Sequence, residues 1–437
     1  MSAVDVIALG VTAAVGMSIF SIVAPATAVA GPAMLISLGI AALPMVVFVV
    51  VYAFIGSAVP RSGSSYDWPA FFVHPYLGFL VAWLRIIGNA GSLQLMALVF
   101  VGYLSRMFAV PKHPTMLLLL FVFYIINLLG INVVAKVVRG LVLLKVAVLS
   151  TFIVFGLPHL RAANFAPMAP HGAWSILAAL PLLVGLYSGI ESAAEVGEEI
   201  RNAKAAIGRG LAVATLIGLI LYLGTSVVTI GTLGSQAVSS STAPLLEAGD
   251  RFLGGWFSPL VLLTALASIA AAINATILIF SRFLFAMGRD RTLSAALARI
   301  HPRWGTPHVA ITVVFISGVL ATLMPDNLVF LFLAANIPTM LKYFSNCWSA
   351  LRLVERHPSI HARARFKLSA RAAKAWALSG MGSALIIVLS GFQADWRPYA
   401  ILGVWGALGT LYWWVYARHA SLGMRQRAAE SSAHPLA

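Results

Sequence analysis

The sequence predicts an all-α integral membrane protein, and three features support that fold class. Of its 437 residues, 60% are hydrophobic and only 10% are charged, and the mean hydropathy is +0.94. A soluble domain has about 25% charged residues, so the composition favours lipid as the solvent. Long unbroken apolar runs favour helices, because a membrane β-barrel would show alternating segments of about ten residues. The single cysteine, Cys347, excludes a disulfide framework or a cysteine metal cluster.

The apolar runs are numerous enough for about twelve transmembrane helices, since one span needs roughly 20 residues. Turn-rich connectors separate them, for example "RSGSS" at 61–65 and "HPRWGTP" at 301–307. The predicted spans are 4–29, 33–58, 76–109, 114–129, 134–158, 175–195, 207–231, 259–287, 308–324, 327–351, 376–393 and 398–417.

The basic residues are distributed unevenly between the predicted loops. Most of the 29 Lys and Arg residues fall on the same side of the membrane as the N-terminus. Because cytoplasmic loops are rich in Lys and Arg, this bias predicts that both termini are cytoplasmic, in a bacterial-type plasma (inner) membrane. It also accounts for the net charge of +16, so nucleic acid is not an expected partner.

The first span carries a group of residues that disfavours a continuous helix. In "VTAAVGMSIFSIVAPATAVAGP", residues 11–32, Gly16, Met17 and Ser18 lie at mid-span and Pro25 follows. A single small residue in a span usually serves close helix packing. Here a proline within two turns also removes a backbone hydrogen bond, so this span is predicted to be interrupted.

A second interrupted span is predicted at 181–195, "PLLVGLYSGIESAAE", where Gly185, Ser188 and Gly189 precede Glu191. Two interrupted spans, five spans apart, are typical of a secondary transporter built from inverted repeats. The predicted organisation is a first repeat at 1–160 (helices 1–5), a second at 161–355 (helices 6–10), helices 11 and 12 at 356–417, and a cytoplasmic tail at 418–437 that is expected to be disordered.

An interrupted span leaves backbone N–H and C=O groups unpaired, and lipid tolerates them only where they line a polar cavity. The N-terminus of a half-helix attracts a carboxylate, and carbonyls at a half-helix C-terminus attract an ammonium. An amino acid carries both groups on one carbon. The two breaks therefore predict a site for an amino acid or related small amine near the middle of the membrane.

Several motifs occur in the order that one transporter family shows: "GMSIF" at 16–20, "AGP" at 30–32, "PRSGSSYDWPAFFVHPYLGFLVAW" at 60–83 and "GIESAAEVGEEIRNAKAAIGRG" at 189–210. On these motifs the chain resembles the amino acid–polyamine–organocation (APC) family, across most of residues 1–355. The resemblance implies the leucine-transporter fold, a 5+5 inverted repeat with broken helices 1 and 6, and alternating access. It is specific for the family and does not specify a substrate.

The resemblance also implies roles for residues around the two breaks. Backbone N–H groups would bind the substrate carboxylate at Gly16, Met17 and Ser18. Carbonyls would bind the ammonium near Ala14, Gly185 and Ser188, and Tyr187 would line the pocket.

The chain departs from the family pattern at both breaks. Met17 and Ser18 replace the middle serine and the last glycine of the first motif. Gly185 stands where many relatives are expected to carry a bulky aromatic gate. This loss either enlarges the pocket or leaves occlusion to another residue, such as Tyr187 or Phe20.

Lys145 lies within the fifth span, in "LLKVAVL". It is either a lysine that extends to the membrane surface or a functional charge inside the membrane. The resemblance favours the second interpretation, because many sodium-independent relatives carry a lysine here whose ammonium takes the place of a sodium ion. In them it contacts the first break and a hydroxyl of helix 8, for which Ser268 is the candidate. Proton coupling and a fixed structural cation are both left open.

Other polar residues in the spans also have more than one interpretation. Glu191 is either a structural acid bonded to loop backbone or a gating, proton-carrying acid. Asn89, Gln94 and Asn274 are expected to join helices by hydrogen bonds. Lys342, in the tenth span, has no assigned mechanism.

We expect a secondary active transporter of an amino acid or related small amine, proton-coupled or exchanging and sodium-independent. Neither enzyme activity nor a cofactor or metal is expected, since no metal-ligand spacing or phosphate-binding loop is visible. The alternatives are a sodium-coupled symporter of the same fold and a non-transporting membrane sensor or subunit that binds an amino acid. A homodimer is left open. Because Gly185 leaves room and no acidic residue clearly faces the expected pocket, a sizeable neutral side chain is favoured.

Overall fold

The computed structural model describes residues 18–59, 64–130, 135–187 and 203–418, and all structural statements concern these ranges. They are mostly helical and contain no β-strand, so the all-α prediction is confirmed. Each predicted span contains a helix. The helices that correspond to the predicted spans are α1 Ser18–Ala30, α2 Met34–Ala58, α3 Pro75–Leu104, α4 Lys112–Leu128, α5 Ala135–Gly156, α6 in two pieces (Trp174–Ala178 and Leu180–Leu183), α7 Ala203–Leu233, α8 Ser258–Arg289, α9 His308–Ala321, α10 Leu328–Arg356, α11 Ala370–Ser390 and α12 Arg397–Tyr412. In the described ranges, four short helices lie in the connections: Ser64–Trp68, Ser235–Ser240, Pro244–Asp250 and Pro358–Arg363.

These helices have the length and composition of an integral membrane protein. Within the described ranges, eight stretches are long and apolar enough to cross a bilayer. Three further apolar stretches are shorter: Lys112–Leu128, Trp174–Tyr187 and His308–Ala321. The number of spans and the division into two repeats at residue 160 stay predictions.

The "AGP" motif forms the tight turn between α1 and α2. Gly31–Ala33 make one 3₁₀ turn, in which Gly31 has φ +61°, a left-handed value that favours glycine. A Cβ on Gly31 would lie 2.5 Å from the ring of Pro170. The N–H of Ala33 donates to the carbonyl of Met168 at 2.8 Å. The turn is therefore fixed to the segment that precedes α6.

α12 docks on α3 through two tryptophans that bond reciprocally. The indole N–H of Trp83 donates to the carbonyl of Trp405, and the indole N–H of Trp405 donates to the carbonyl of Trp83, both at 2.8 Å. The two rings stack with centroids 4.7 Å apart. A Cβ on Gly409 would lie 2.4 Å from the Trp83 ring, so a glycine is needed at this approach.

Polar side chains also join elements inside the protein. Asn127 of α4 donates to the side-chain oxygen of Asn274 in α8 at 2.8 Å. Gln94 of α3 donates to the carbonyl of Met324, after α9, at 3.0 Å. These bonds confirm the joining roles predicted for Gln94 and Asn274. Asn89 differs, because its amide nitrogen is buried without a hydrogen-bond partner among the described residues.

Candidate functional site

Part of the predicted site falls outside the described ranges. The residues concerned belong to both breaks and are Ala14, Gly16, Met17, Ser188 and Glu191. Ser18 is described by its backbone alone, as the first residue of α1. The roles of these residues stay predictions.

α1 is anchored to α3 close to its first described residue. Phe20 is buried and packs edge-on against Tyr103, with ring centroids 6.0 Å apart. The Tyr103 hydroxyl donates to the carbonyl of Phe20 at 3.0 Å. Phe20 comes directly after the predicted carboxylate site at residues 16–18, and its contacts with α3 hold it in place.

α6 loses its regular α-helical form where the second break is predicted. Its second piece, Leu180–Leu183, is followed by a 3₁₀ helix at Val184–Tyr187. A 3₁₀ stretch has a different hydrogen-bond pattern from an α-helix, so the regular α-helical form ends at Leu183. The change of helix type coincides with Gly185 and Tyr187, two residues that the sequence places at the site.

Side chains from three neighbouring helices bond to the carbonyls of α6 and its 3₁₀ extension. The donors are Ser37 of α2 to Ile176 at 2.8 Å, Asn336 of α10 to Pro181 at 2.9 Å and to Leu182 at 3.3 Å, and Tyr222 of α7 to Leu186 at 3.0 Å. A buried carbonyl without a partner is unfavourable, so these bonds help to stabilise the irregular backbone. Sequence reasoning missed all three donors, because the only signal was a lone polar residue in an apolar span.

Tyr187 is fully buried between α2 and α7. Its hydroxyl donates to the carbonyl of Leu38 at 3.4 Å. Its ring packs edge-on against Tyr222, with centroids 5.6 Å apart. In this conformation Tyr187 fixes the 3₁₀ segment to its neighbours, and its role in lining a pocket stays a prediction.

Gly185 faces Asn336 of α10 at close range. A Cβ on Gly185 would lie 2.4 Å from the side-chain nitrogen of Asn336 and 2.8 Å from its side-chain oxygen. Gly185 is partly exposed, whereas Val184 and Leu186 on either side of it are buried. Gly185 is therefore the partly exposed point of this stretch, and it lies next to the amide of Asn336.

Lys145 and Ser268 lie on α5 and α8, two helices that pack together. Lys145 is only 5% exposed, which favours a charge inside the protein over a lysine that extends to the membrane surface. The Ser268 hydroxyl donates to the carbonyl of Thr264 at 2.6 Å. That bond uses the hydroxyl proton and leaves the oxygen lone pairs able to accept from an ammonium. The pairing of Lys145 with Ser268 stays a prediction.

Lys342 is 1% exposed and belongs to a buried cluster that joins α10 to α2. Its ammonium lies 4.6 Å from the ring centroid of Tyr343, a distance at which a cation is attracted to the aromatic face. The Tyr343 ring stacks on Phe48 of α2, with centroids 4.6 Å apart. Asn346, one turn after Lys342, donates to the hydroxyl of Tyr52 at 2.5 Å. The Lys342 side chain therefore lies inside the protein, against the Tyr343 ring.

Comparison with known proteins places these features in a family. The model of the amino acid permease family matches residues 1–416, nearly the whole chain. This chain belongs to the amino acid permease family. The resemblance to APC transporters that the motifs indicated is thereby confirmed, and the permease is a secondary amino acid transporter of the membrane.

Three relatives show the range of names within this similarity. An uncharacterized transporter of Mycobacterium tuberculosis (strain ATCC 25618 / H37Rv) is 30% identical over 71% of the permease and 70% of the relative. A methylthioribose transporter of Bacillus subtilis (strain 168) is 24% identical over 97% and 94% of the two chains. The branched-chain amino acid permease BcaP of Lactococcus lactis subsp. cremoris (strain MG1363) is 26% identical over 94% and 93%.

Proposed function

We propose that the permease carries a neutral amino acid by alternating access, with the solute bound between the midpoints of its first and sixth helices. The observation that carries this proposal is the 3₁₀ stretch Val184–Tyr187, which follows the second piece of α6. Side chains of α2, α7 and α10 bond to the carbonyls around it. Irregular backbone of this kind inside a membrane is typical of discontinuous helices that bind a solute.

The two ends of the amino acid would be bound by backbone groups. In this proposal the N–H groups at Gly16, Met17 and Ser18 bind the carboxylate, because a half-helix N-terminus attracts negative charge. Carbonyls bind the ammonium, near Ala14, Gly185 and Ser188. Tyr187 lines the pocket from the sixth helix, and Glu191 serves as a gating or structural acid just beyond it.

A neutral side chain is supported by two observations. Asn336, the polar side chain next to Gly185, carries no charge, so it cannot form an ion pair with a charged substrate side chain. BcaP, a relative over most of both chains, is named for branched-chain amino acids. Leucine is therefore the first substrate to test.

Proton symport or substrate exchange, without sodium, is the coupling that we propose. The burial of Lys145 in a helix that packs on α8 supports it, since a lysine ammonium there would supply the positive charge of a bound cation. A lysine side chain can exchange a proton, so in the symport mechanism the same residue would carry the proton during transport.

The membrane and the orientation are part of the same proposal. We place the permease in a bacterial-type inner membrane with both termini in the cytoplasm, because most of its 29 Lys and Arg residues fall on that side. Light scattering of the purified protein distinguishes a monomer from the homodimer that the sequence left open.

The deciding experiment is uptake of labelled leucine into proteoliposomes that contain the purified permease. We expect saturable uptake in sodium-free buffer that is driven by an inward proton gradient or by unlabelled leucine inside. A strict sodium requirement would instead establish the sodium-coupled symporter. Saturable binding without flux would establish the sensor, and neither binding nor flux of any common amino acid would contradict the proposal.

A further inference from the structure

We infer that Asn336 forms one wall of the subsite for the substrate side chain and limits that subsite to small and medium-sized neutral side chains. This inference rests on the proposed function, because it places the substrate beside Gly185. It revises the expectation from the sequence that the absence of an aromatic residue at 185 leaves a large space.

The first observation is the position of the Asn336 amide against the backbone of α6. A Cβ on Gly185 would lie 2.4, 2.8 and 2.9 Å from the nitrogen, oxygen and Cγ of that amide. Distances below about 3 Å are too short for a carbon contact, since such contacts are optimal at about 3.5–4.0 Å. The Asn336 side chain thus occupies space into which any side chain at 185 would project.

The second observation is that this amide is fixed. Its nitrogen donates to the carbonyls of Pro181 and Leu182 at 2.9 and 3.3 Å. Asn336 is 7% exposed, and Leu333, Ile337 and other apolar residues of α10 lie buried around it. Rotating the amide away would leave two carbonyls of α6 without these partners in an apolar surrounding, which is unfavourable. The Asn336 side chain therefore does not rotate away easily to make room for a larger substrate side chain.

The third observation is the local exposure of the backbone. Gly185 is the partly exposed residue of Val184–Tyr187, whose other members are buried. A solute that reaches the 3₁₀ stretch would therefore contact it at Gly185 and meet Asn336 at the same point. Because the amide is uncharged and has both a donor and an acceptor group, it suits an apolar or neutral polar side chain of limited length.

The substrate test compares side-chain size in the proteoliposome assay. The measured quantity is the ratio of phenylalanine uptake to alanine uptake. Asn336→Ala should raise this ratio about tenfold over the wild type, since one pocket group changes discrimination by about 10–200-fold. Asn336→Leu keeps a branched side chain of the same number of heavy atoms and removes the hydrogen bonds, so it should lower the unfolding temperature without raising the ratio above that of the wild type.

Asn127→Ala is the matched control. Asn127 is also 7% exposed and donates two hydrogen bonds, to Phe123 and Asn274. It lies between α4 and α8, so its loss should lower the unfolding temperature without changing the uptake ratio. If Asn336→Ala does not purify as a single species, Asn336→Ser is measured in its place, with a smaller rise expected for the same reason.

The steric contact between a side chain at position 185 and Asn336 is tested by thermal unfolding in detergent, which requires no transport. Gly185→Ala should lower the unfolding temperature, and the double variant Gly185→Ala/Asn336→Ala should unfold at a higher temperature than the sum of the single effects implies. Gly39→Ala is the control, because a Cβ there meets no atom within 4 Å.

The outcomes separate this inference from the proposed function. If the wild type transports leucine and Asn336→Ala leaves the phenylalanine-to-alanine ratio unchanged, the inference is wrong and the proposed function stands. If Gly185→Ala shifts the unfolding temperature no more than Gly39→Ala does, or if the effects of the double variant are additive, the close contact between Gly185 and Asn336 is contradicted. If the unfolding cycle behaves as expected but no amino acid is bound or transported, the contact is real and the proposed function fails.

Discussion

Single polar side chains bond to the irregular backbone of α6 and its 3₁₀ extension. Asn336 bonds to two of its carbonyls, and Ser37 and Tyr222 bond to one each. Leaving one buried acceptor unpaired costs about 1–3 kcal/mol, so each donor matters more than its small size suggests. Among the residues of the predicted site, Lys145 gains the most support from its burial. A buried ionisable side chain is energetically costly, and such residues in membrane proteins usually have a function.

Lys145→Ala should abolish the proton-driven uptake of leucine or uncouple it from the gradient, while the variant remains folded. The physical reason is the loss of the only charge that the proposal assigns to the coupling site. The measurement is uptake into proteoliposomes with and without an inward proton gradient, together with thermal stabilisation by leucine to show that binding persists.

Lys367→Ala is the matched control for that prediction. Lys367 is exposed and donates to the carbonyl of Ala362 between α10 and α11, so its loss should leave uptake unchanged. Full gradient-dependent transport by Lys145→Ala would show that Lys145 has no coupling role.

Elements of the fold are joined by pairs of residues that are far apart in sequence. α12 is attached to α3 by the stacked and reciprocally bonded Trp83 and Trp405. α1 is attached to α3 by Phe20 and Tyr103. Since α3 also packs against α10, it connects the appended helix to the helices that surround α6.

Trp405→Phe should destabilise the attachment of α12 by about 1 kcal/mol, because it removes one hydrogen bond and retains an aromatic ring. Trp405→Ala should cost more, about 3 kcal/mol, because it also removes the stacked ring. Both effects are measured as shifts of the unfolding temperature in detergent.

The control for the tryptophan pair is Trp174→Phe, since Trp174 is 70% exposed. That variant should unfold close to the wild-type temperature. Equal shifts for Trp174→Phe and Trp405→Phe would mean that the reciprocal bonds contribute nothing measurable.

At the scale of the whole molecule, the orientation in the membrane decides which surface meets the cytoplasm. The end of α10, the start of α11 and the segment between them are rich in exposed arginines, including Arg356, Arg363, Arg365 and Arg371. This segment is held near the end of α2, because the N–H of Phe366 donates to the hydroxyl of Ser57 at 3.1 Å. These positive charges favour the cytoplasmic side.

The single cysteine makes that orientation testable. Because the sequence has one cysteine, Cys347, a Cys347→Ala background leaves no native thiol for labelling. Gln236 and Ser359 are both exposed and lie on predicted external and cytoplasmic segments, respectively. In intact cells, a membrane-impermeant maleimide should label Gln236→Cys at once and Ser359→Cys only after permeabilisation. The reverse pattern would invert the proposed topology.

Most of the fold was predictable from the sequence, whereas the contacts between the helices around α6 were not. The ends of α2, α8 and α10 agree with the predicted spans to within a few residues, because the length of an apolar run is a local property. The sequence also indicated that Gly185 belongs to the candidate site, because it is a glycine in a span that is predicted to be interrupted. The contact of Gly185 with Asn336 was not predictable, because nothing in the sequence around residue 336 shows that α10 faces α6.

The sequence by itself determined that the chain resides in lipid, where most of its helices lie along the chain, and to which family its motifs belong. These properties follow from hydropathy and from short motifs, which act over one or two turns of chain. Only the tertiary structure decided which side chains hold the carbonyls of α6, how Trp83 meets Trp405, and that Asn336 fills the space beside Gly185. Those contacts depend on which helix faces meet, and that is set by the packing of the whole bundle.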